Sequence, residues 1–300
     1  MQVKKSTFRV AGFIGLMATI LMATSPSFAG RFRSAVGGVA INADGVLSEP
    51  TRQANQLLVS RMKEMVQPAE GAIAEASELR RVSLKHLMKM VSEAATNEME
   101  LTDEVRYLAG LQRIKYVFVY PEQQDIVLAG PGEGWVVSDR GEVVGRTTGM
   151  PVLHLDDLLM ALRTSQQARE VGVSCSIDPT AEGISQMNQL MRKQKSFQPQ
   201  VLRRIEKAMG PQQVSVTGVP EDSHFARVLV AADYRMKRIA MNLERSPLRQ
   251  LPSFLDMVTN VRAATNMMPR WRLACDYEPM ARTEDGLGWE LRGPGVKVMT

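Results

Sequence analysis

Cysteine, histidine and aromatic residues are all scarce in this chain of 300 residues, which has 2 Cys, 3 His and 5% aromatic side chains. So few cysteines exclude a disulfide-rich scaffold, and no C-x-x-C pair is present to bind zinc. The histidines lack the H-E-x-x-H spacing, and no EF-hand loop occurs, so spacing predicts no metal site. The shortage of aromatic rings also leaves little for nucleic-acid bases to stack on.

Neither basic nor acidic residues are in large excess. The chain carries 37 basic and 32 acidic residues, for a net charge of +5. Removing the first 29 residues takes away Lys4, Lys5 and Arg9 and no acid, which leaves 34 basic against 32 acidic residues, or +2. A chain this balanced offers no electrostatic surface for nucleic acid. With 44% hydrophobic and 23% charged residues, it is neither disordered nor a polytopic membrane protein.

The amino terminus has the order of a secretory signal peptide. Lys4, Lys5 and Arg9 precede an uncharged run over residues 10–23, and Ser27-Phe28-Ala29 offers small residues for cleavage. The run is shorter than the ~20 residues that span a bilayer, and no later segment is long and apolar enough. We therefore expect a mature chain from Gly30 that is exported and is periplasmic, envelope-associated or extracellular. An uncleaved anchor is the alternative.

Residues 30–96 predict a strand and turn followed by helices. Residues 37–47 alternate apolar and polar side chains around a turn, which is typical of a short hairpin. Ser48 is the predicted N-cap of a helix that ends at Pro68, and residues 70–81 favour a second short helix. Ser83 is predicted to cap a third helix, whose apolar stripe begins at Leu84.

Beyond this region the pattern predicts two α-β-β-α-β units, at residues 97–186 and 197–288, and an extended tail at 289–300. The fold class is therefore α+β, with a helical amino-terminal region before two repeated units. In the first unit the predicted elements are a helix at 102–111, strands at 116–120 and 126–129, a hairpin at 135–145, a helix at 155–163 and a strand at 171–177. In the second they are a helix at 201–209, strands at 214–219 and 228–232, a helix at 251–261 and a strand at 271–275.

Matching landmarks favour an internal duplication. Gly110 and Gln112 recur as Gly210 and Gln212, and Cys175 recurs as Cys275, each 100 residues later. Chance matches among valine, glycine and proline are the alternative explanation.

A glycine-rich segment at residues 130–134, GPGEG, is not a phosphate-binding loop. It leads from a strand to Trp135 and more strand rather than into a helix, and no Walker lysine follows. A turn that uses positive φ is the prediction. There is no G-x-S-x-G segment either, so the sequence predicts no cofactor and no recognised hydrolase motif.

Acid, hydroxyl and imidazole groups come together along the chain only at Asp222, Ser223 and His224, in a predicted turn between two strands. His224 is the candidate for a catalytic residue. Adjacency along the chain does not by itself make a triad, because a triad is assembled in space. His154 is expected near a helix N-terminus, where the macrodipole accounts for Asp156 and Asp157. His86 is expected on a helix surface.

Two further sets of residues each allow two interpretations. Trp135, Arg235, Lys237 and Arg238 are candidates for a surface that binds an anionic polymer or an acidic partner, or the cations simply face solvent. Cys175 and Cys275 can form a disulfide in an oxidising compartment, or they remain two small buried residues.

The strings YVFVYPEQQDIVLAGPGEGW, VSCSIDPTAEG, FARVLVAADYRMKRIAMNLE and LPSFLDM resemble a family of exported planctomycete proteins that is known only as a domain of unknown function. The resemblance covers residues 30–298 and implies export and an envelope or extracellular setting. It implies no reaction, ligand or catalytic residue. Members of that family are longer, which implies a missing carboxy-terminal region here.

The sequence thus favours an exported, non-enzymatic binding or structural component of the cell envelope. Its expected partners are another envelope protein or an anionic polymer, with no nucleic acid and no membrane span after cleavage. The alternative is a secreted hydrolase that uses Asp222, Ser223 and His224.

Overall fold

The computed structural model describes residues 40–41, 47–48, 52–192, 199–210, 212–246, 252–254, 272–276, 278 and 280–299. None of the helices within these ranges is both long and apolar enough to cross a membrane. The predicted leader at residues 1–29 and most of the predicted helix at 251–261 lie outside the described residues.

The described elements are antiparallel strands mixed with helices of 4 to 17 residues. Up to residue 145 they are β1 (Ala40–Ile41), β2 (Leu47–Ser48), α1 (Arg52–Met65), β3 (Ser77–Ser83), α2 (Leu84–Thr96), α3 (Asp103–Arg106), β4 (Tyr116–Tyr120), β5 (Asp125–Gly132), β6 (Trp135–Val137) and β7 (Val143–Gly145). Short 3-10 turns lie at Gly71–Ile73 and Leu108–Gly110.

After residue 145 the described elements are α4 (Leu155–Val171), β8 (Ser174–Pro179), α5 (Ala181–Arg192), α6 (Pro199–Met209), β9 (Gln212–Thr217), α7 (His224–Ala240), β10 (Arg272–Asp276), β11 (Ala281–Arg282), β12 (Gly288–Glu290) and β13 (Gly295–Met299). All described strand pairs are antiparallel. This mixture of helices and antiparallel sheets confirms the predicted α+β class.

The largest sheet has five strands in the order β11-β12-β4-β5-β3. Val117 of β4 lies opposite Leu128 on one side and Trp289 on the other, and Leu128 lies opposite Val82. Residues directly opposite each other in antiparallel strands share a face, so these four form one apolar row across the sheet. The β-branched and aromatic sequence of β4 suits this half-buried position.

A second group of elements packs around β8 and β9. These strands form a two-stranded antiparallel sheet, and Cys175 and Ile177 of β8 are buried against Val230 of α7. Beside them α5 and α6 form a helical hairpin that is closed by Met187, Met191 and Ile205. Methionine fills this irregular space because its unbranched side chain adapts to its neighbours.

Several local predictions are confirmed. The hairpins form as β1–β2 and β6–β7. The hydroxyl of Ser83 accepts a hydrogen bond from the His86 N–H, which makes Ser83 the N-cap of α2. These features depend on neighbouring residues alone, which is why sequence patterns identify them.

Three other local predictions are wrong. Residues 70–81 are a 3-10 turn and strand β3 rather than a helix, because the segment pairs with the exposed edge of β5. Ser48 pairs with Ala40 in the first hairpin, and α1 begins only at Arg52. Residues 289–300 are not a tail, since β12 joins the five-stranded sheet and β13 pairs with β10.

The predicted strand at residues 228–232 is also wrong, because these residues lie inside helix α7. A continuous apolar run fits a buried strand or a buried helix equally well. Here Ser223 caps the segment, and Ala226 and Val230 are buried one helical turn apart. The segment equivalent to strand β5 is therefore a helix, and the predicted duplication is not confirmed.

The glycine-rich segment is not a positive-φ turn. Gly130 and Gly132 are part of β5, and neither they nor Gly134 have positive φ. A Cβ at Gly130 would lie 2.0 Å from the carbonyl oxygen of Arg113. Glycine is needed here for a close approach of two backbones rather than for a turn.

Cys175 is buried, with 2% of its surface exposed. Burial, reinforced by the negative charge of Asp233, raises the pKa of its thiol to about 12. Strand β8 contacts β10, which contains Cys275. The side chain of Cys275 lies outside the described residues, so the disulfide stays a prediction.

Candidate functional site

Two helices begin next to each other at the candidate site. His154 is the N-cap of α4, with extended backbone angles and no capping bond from its side chain. His224 is the first residue of α7, and Ser223 before it provides the cap. His224 is hydrogen-bonded to Asp157 in the first turn of α4, so the first turns of the two helices lie next to each other.

Three side chains meet there, and we call them the His–Asp–His cluster: His154, Asp157 and His224. The Nδ1 atom of His224 lies 2.8 Å from Asp157 Oδ2, and the ionised carboxylate can only accept, so the imidazole donates. The His154 and His224 rings are stacked, with centroids 4.2 Å apart and planes within 10°. The His224 and Asp157 side chains remain 25% and 23% exposed, so small solutes can reach them.

Aromatic residues support the cluster from the protein side. The ring of His154 contacts the edge of Tyr107 at a centroid distance of 5.2 Å, and Tyr107 contacts Trp135 at 5.8 Å. Trp135 is 2% exposed, and its indole N–H donates to the Gln67 carbonyl over 2.9 Å. These contacts connect the site to the core formed around Trp135.

Burial and the neighbouring imidazole determine the charge of His154. Burial, together with the nearby charge of His224, lowers the pKa of His154 to about 4, although Asp157 opposes the shift. His154 is therefore a neutral imidazole at pH 7, the form that offers a nitrogen lone pair to a ligand.

One oxygen of the cluster is not satisfied by the protein. Asp157 Oδ1 is buried and has no hydrogen-bond partner among the described residues. A buried polar atom without a partner costs about 1–3 kcal/mol, so each case in a folded protein needs an explanation. Asp157 Oδ1 is therefore available to accept a hydrogen bond or to bind a cation.

The geometry makes two kinds of chemistry conceivable. One ligand atom from each of the three residues lies within 4.8 Å of the others, which suits a shared metal ion. The His224–Asp157 pair also resembles a general base with its orienting carboxylate. The cluster can therefore bind a cation or accept a proton, but covalent catalysis would need a nucleophile as well.

Ser223 and His224 of the predicted Asp222-Ser223-His224 group bond to other residues rather than to each other, and a catalytic role for the group stays a prediction. Asp222 and Ser223 precede helix α7 and His224 is its first residue, so the group does not lie between two strands. The Ser223 hydroxyl donates to the Pro220 carbonyl over 2.7 Å and accepts from the Ala226 N–H. Ser223 therefore caps a helix, and His224 is paired with Asp157 instead.

The four residues of the predicted binding surface lie in different environments: one is in the core, and the three cations contact other side chains. Trp135 is a core residue. Arg235 forms an ion pair with Glu244 at 2.7 Å, and Lys237 donates to the fully buried Asp233 over 2.6 Å. Arg238 lies over the ring of Tyr234, 5.7 Å from its centroid. These contacts account for the three cations within α7, and a binding role for them stays a prediction.

Sequence reasoning missed Asp157 as a site residue. Its place in the first turn of α4 was explained by the macrodipole, and that explanation remains correct. Nothing in the sequence shows that this turn meets His224, which is 67 residues away. The available signals were that His154 precedes a predicted helix start and that Ser223, directly before His224, is a residue type that caps helices.

The fold and the site define an α+β protein with a His–Asp–His cluster where two helix N-termini meet. A family model described as "Protein of unknown function (DUF1598)" matches residues 175–254. The match confirms the resemblance to a domain of unknown function over those residues, which include His224 but neither His154 nor Asp157. No curated protein and no solved structure matches the chain.

Proposed function

We propose that this protein is an exported, non-enzymatic binding component of the cell envelope, and that the His–Asp–His cluster is its binding site. The leader supports export, since positive charge, an apolar run and small residues follow one another over residues 4–29. The composition of the cluster is the observation that supports the binding role. The cluster offers imidazole and carboxylate atoms to a ligand, whereas the neighbouring hydroxyl of Ser223 takes part in the helix cap rather than in the cluster.

Cell fractionation tests this function directly. When the full chain is expressed, the mature chain should be recovered from the envelope fraction with Gly30 as its first residue. His224→Ala should reduce the share that stays with the envelope, because it removes a central group of the binding site. His86→Ala is the matched control, since His86 is exposed on α2, outside the site. Intact chains that begin at Met1 and stay in the cytosol would contradict the proposal.

The hydrolase alternative rests on one observation, the carboxylate that orients His224. Replacement of Ser223 separates the two functions. Ser223→Ala should lower the free energy of unfolding by about 1 kcal/mol, because it removes the cap of α7. Ser223→Asp should restore most of this stability, since aspartate caps helices equally well.

Chemical denaturation measures both variants. A nucleophilic serine behaves differently from a cap, because aspartate cannot replace it in hydrolysis. If purified protein hydrolyses ester or amide substrates, and both variants abolish that activity, the hydrolase alternative is correct and the non-enzymatic function is wrong.

A further inference from the structure

We propose that the His–Asp–His cluster binds one divalent transition-metal ion through His154, Asp157 and His224. This inference rests on the proposed function, because it names the ligand of the same site. Within the described part of the chain, this is the one group of three or more His, Cys, Asp or Glu side chains whose ligand atoms come this close together.

The spacing of the ligand atoms is the first argument. Zinc bonds to imidazole nitrogen and carboxylate oxygen are about 2.0–2.2 Å long, which separates neighbouring ligands by about 3 Å. His224 Nδ1 and Asp157 Oδ2 are already 2.8 Å apart. The ion takes the place of the proton between these two atoms, and in the neutral imidazole that proton moves to Nε2, so that Nδ1 offers its lone pair to the ion. The third ligand atom lies within 4.8 Å, so a turn of one ring completes the set.

The unsatisfied oxygen of Asp157 is an independent second argument. Oδ1 is buried without a partner among the described residues, although Oδ2 accepts from His224. A carboxylate that binds the cation through both oxygens satisfies Oδ1 as well as Oδ2, whereas the imidazole of His224 alone does not.

The orientation of the rings predicts how the site changes on binding. A nitrogen lone pair lies in the plane of its ring, so two rings stacked within 10° cannot both point at one ion. One ring must turn, and we expect it to be His154, because its side chain makes no capping bond whereas His224 is held by Asp157. Binding should therefore open the His154–His224 stack and alter the contact between His154 and Tyr107.

The donor set determines the class of metal. Imidazole ligands select zinc, cobalt, nickel, copper or iron, whereas magnesium and calcium prefer oxygen ligands. The N-termini of α4 and α7 weaken cation binding by about two- to fivefold each. Asp156 and Asp157, both in the first turn of α4, offset this effect. Two imidazoles and one carboxylate leave coordination positions open for water or a partner's group.

The test is a titration of the untagged full chain, first freed of metal, with Zn2+ and with Co2+. Wild type should bind one ion, and cobalt should give visible absorption from nitrogen ligands. His154→Ala and His224→Ala should weaken Zn2+ binding at least 100-fold. Asp157→Asn should weaken it by about 10- to 100-fold. Excess Mg2+ should not compete.

His86→Ala is the matched control, because it removes the one histidine of the chain that lies outside the cluster. It should bind Zn2+ like wild type. The proposal is overturned if wild type binds no Zn2+, if His86→Ala abolishes binding, or if His154→Ala and His224→Ala retain it. Asp157→Asn nearly preserves the shape of the side chain, so it keeps the test valid if an alanine variant fails to fold.

Failure of this inference and failure of the proposed function give different results. Envelope retention that needs His224, in a chain that binds no Zn2+, overturns the metal and leaves the binding function in place. Zn2+ binding by a chain that stays in the cytosol overturns the envelope function and leaves the metal site in place.

Discussion

Replacing Glu133 by glutamine should lower the free energy of unfolding by about 3 kcal/mol. Glu133 is 2% exposed, and its carboxylate is surrounded by hydrogen-bond donors. Oε2 accepts from the Thr147 N–H at 3.0 Å and from the Thr147 hydroxyl. Oε1 accepts from the Thr148 N–H at 2.9 Å, from the Thr148 hydroxyl and from Gln112 Nε2. The glutamine amide would place a donor against these donors and leave buried groups unpaired, at about 1–3 kcal/mol each.

The ionisation of Glu133 gives this prediction a pH dependence. Burial opposes the charged form, but hydrogen bonds from Thr147 and Thr148 outweigh it and lower the pKa of Glu133 to about 2. In the unfolded chain the pKa of a glutamate is about 4.3. A lowered pKa in the folded state contributes stability that is fully present above the unfolded value. That contribution is lost as the pH falls from about 4.3 towards 2.

Urea unfolding at pH 7 and at pH 3 measures the effect. The difference between wild type and Glu133→Gln should be largest at pH 7 and smaller at pH 3. Glu122→Gln is the matched control, because Glu122 is exposed in the turn between β4 and β5. A loss below 1 kcal/mol at pH 7, or a loss no larger than that of the control, would show that the carboxylate does not organise the loop at residues 145–149.

The parts of the fold that were predictable depend on neighbours along the chain. The strand Tyr116–Tyr120, the β6–β7 hairpin and the Ser83 cap each follow from a few adjacent side chains. The apolar run inside α7 was assigned to a strand because both structures bury such runs. What decides between them is the cap at Ser223 together with burial against β8, which lies about 50 residues earlier.

The candidate site was only partly predictable for the same reason. The sequence marked His224 as a candidate and expected His154 near a helix start. It assigned His224 to the wrong neighbours, because Asp222 and Ser223 are adjacent in the chain but not in the site. The true partner, Asp157, reaches His224 only through the packing of α4 against α7. Contacts of this kind arise from tertiary structure, and residue spacing does not encode them.

A second substitution with a large expected effect is Gly130→Ala, which should cost more than 3 kcal/mol of unfolding free energy. Gly130 lies in β5, paired with Arg80 of β3. An added Cβ would lie 2.0 Å from the Arg113 carbonyl oxygen and 3.1 Å from the Lys115 nitrogen. These are backbone atoms, so no side chain can rotate to relieve the overlap. Overpacking of this kind costs about 1–3 kcal/mol even where side chains can adjust.

The backbone around Arg113 is also held in place on both sides. The Gln112 N–H donates to Pro131 over 2.9 Å, and the Lys115 N–H donates to Ala129 over 2.8 Å. To make room for a methyl group at position 130, this segment would have to move away from the sheet, which would break these hydrogen bonds.

Gly71→Ala is the comparison, because a Cβ there meets nothing within 4 Å and only its φ of +58° is unfavourable. Urea unfolding should show a loss of about 1–2 kcal/mol for Gly71→Ala and a clearly larger loss for Gly130→Ala. Equal losses would mean that the sheet and the segment around Arg113 separate easily, and that the close approach does not require glycine.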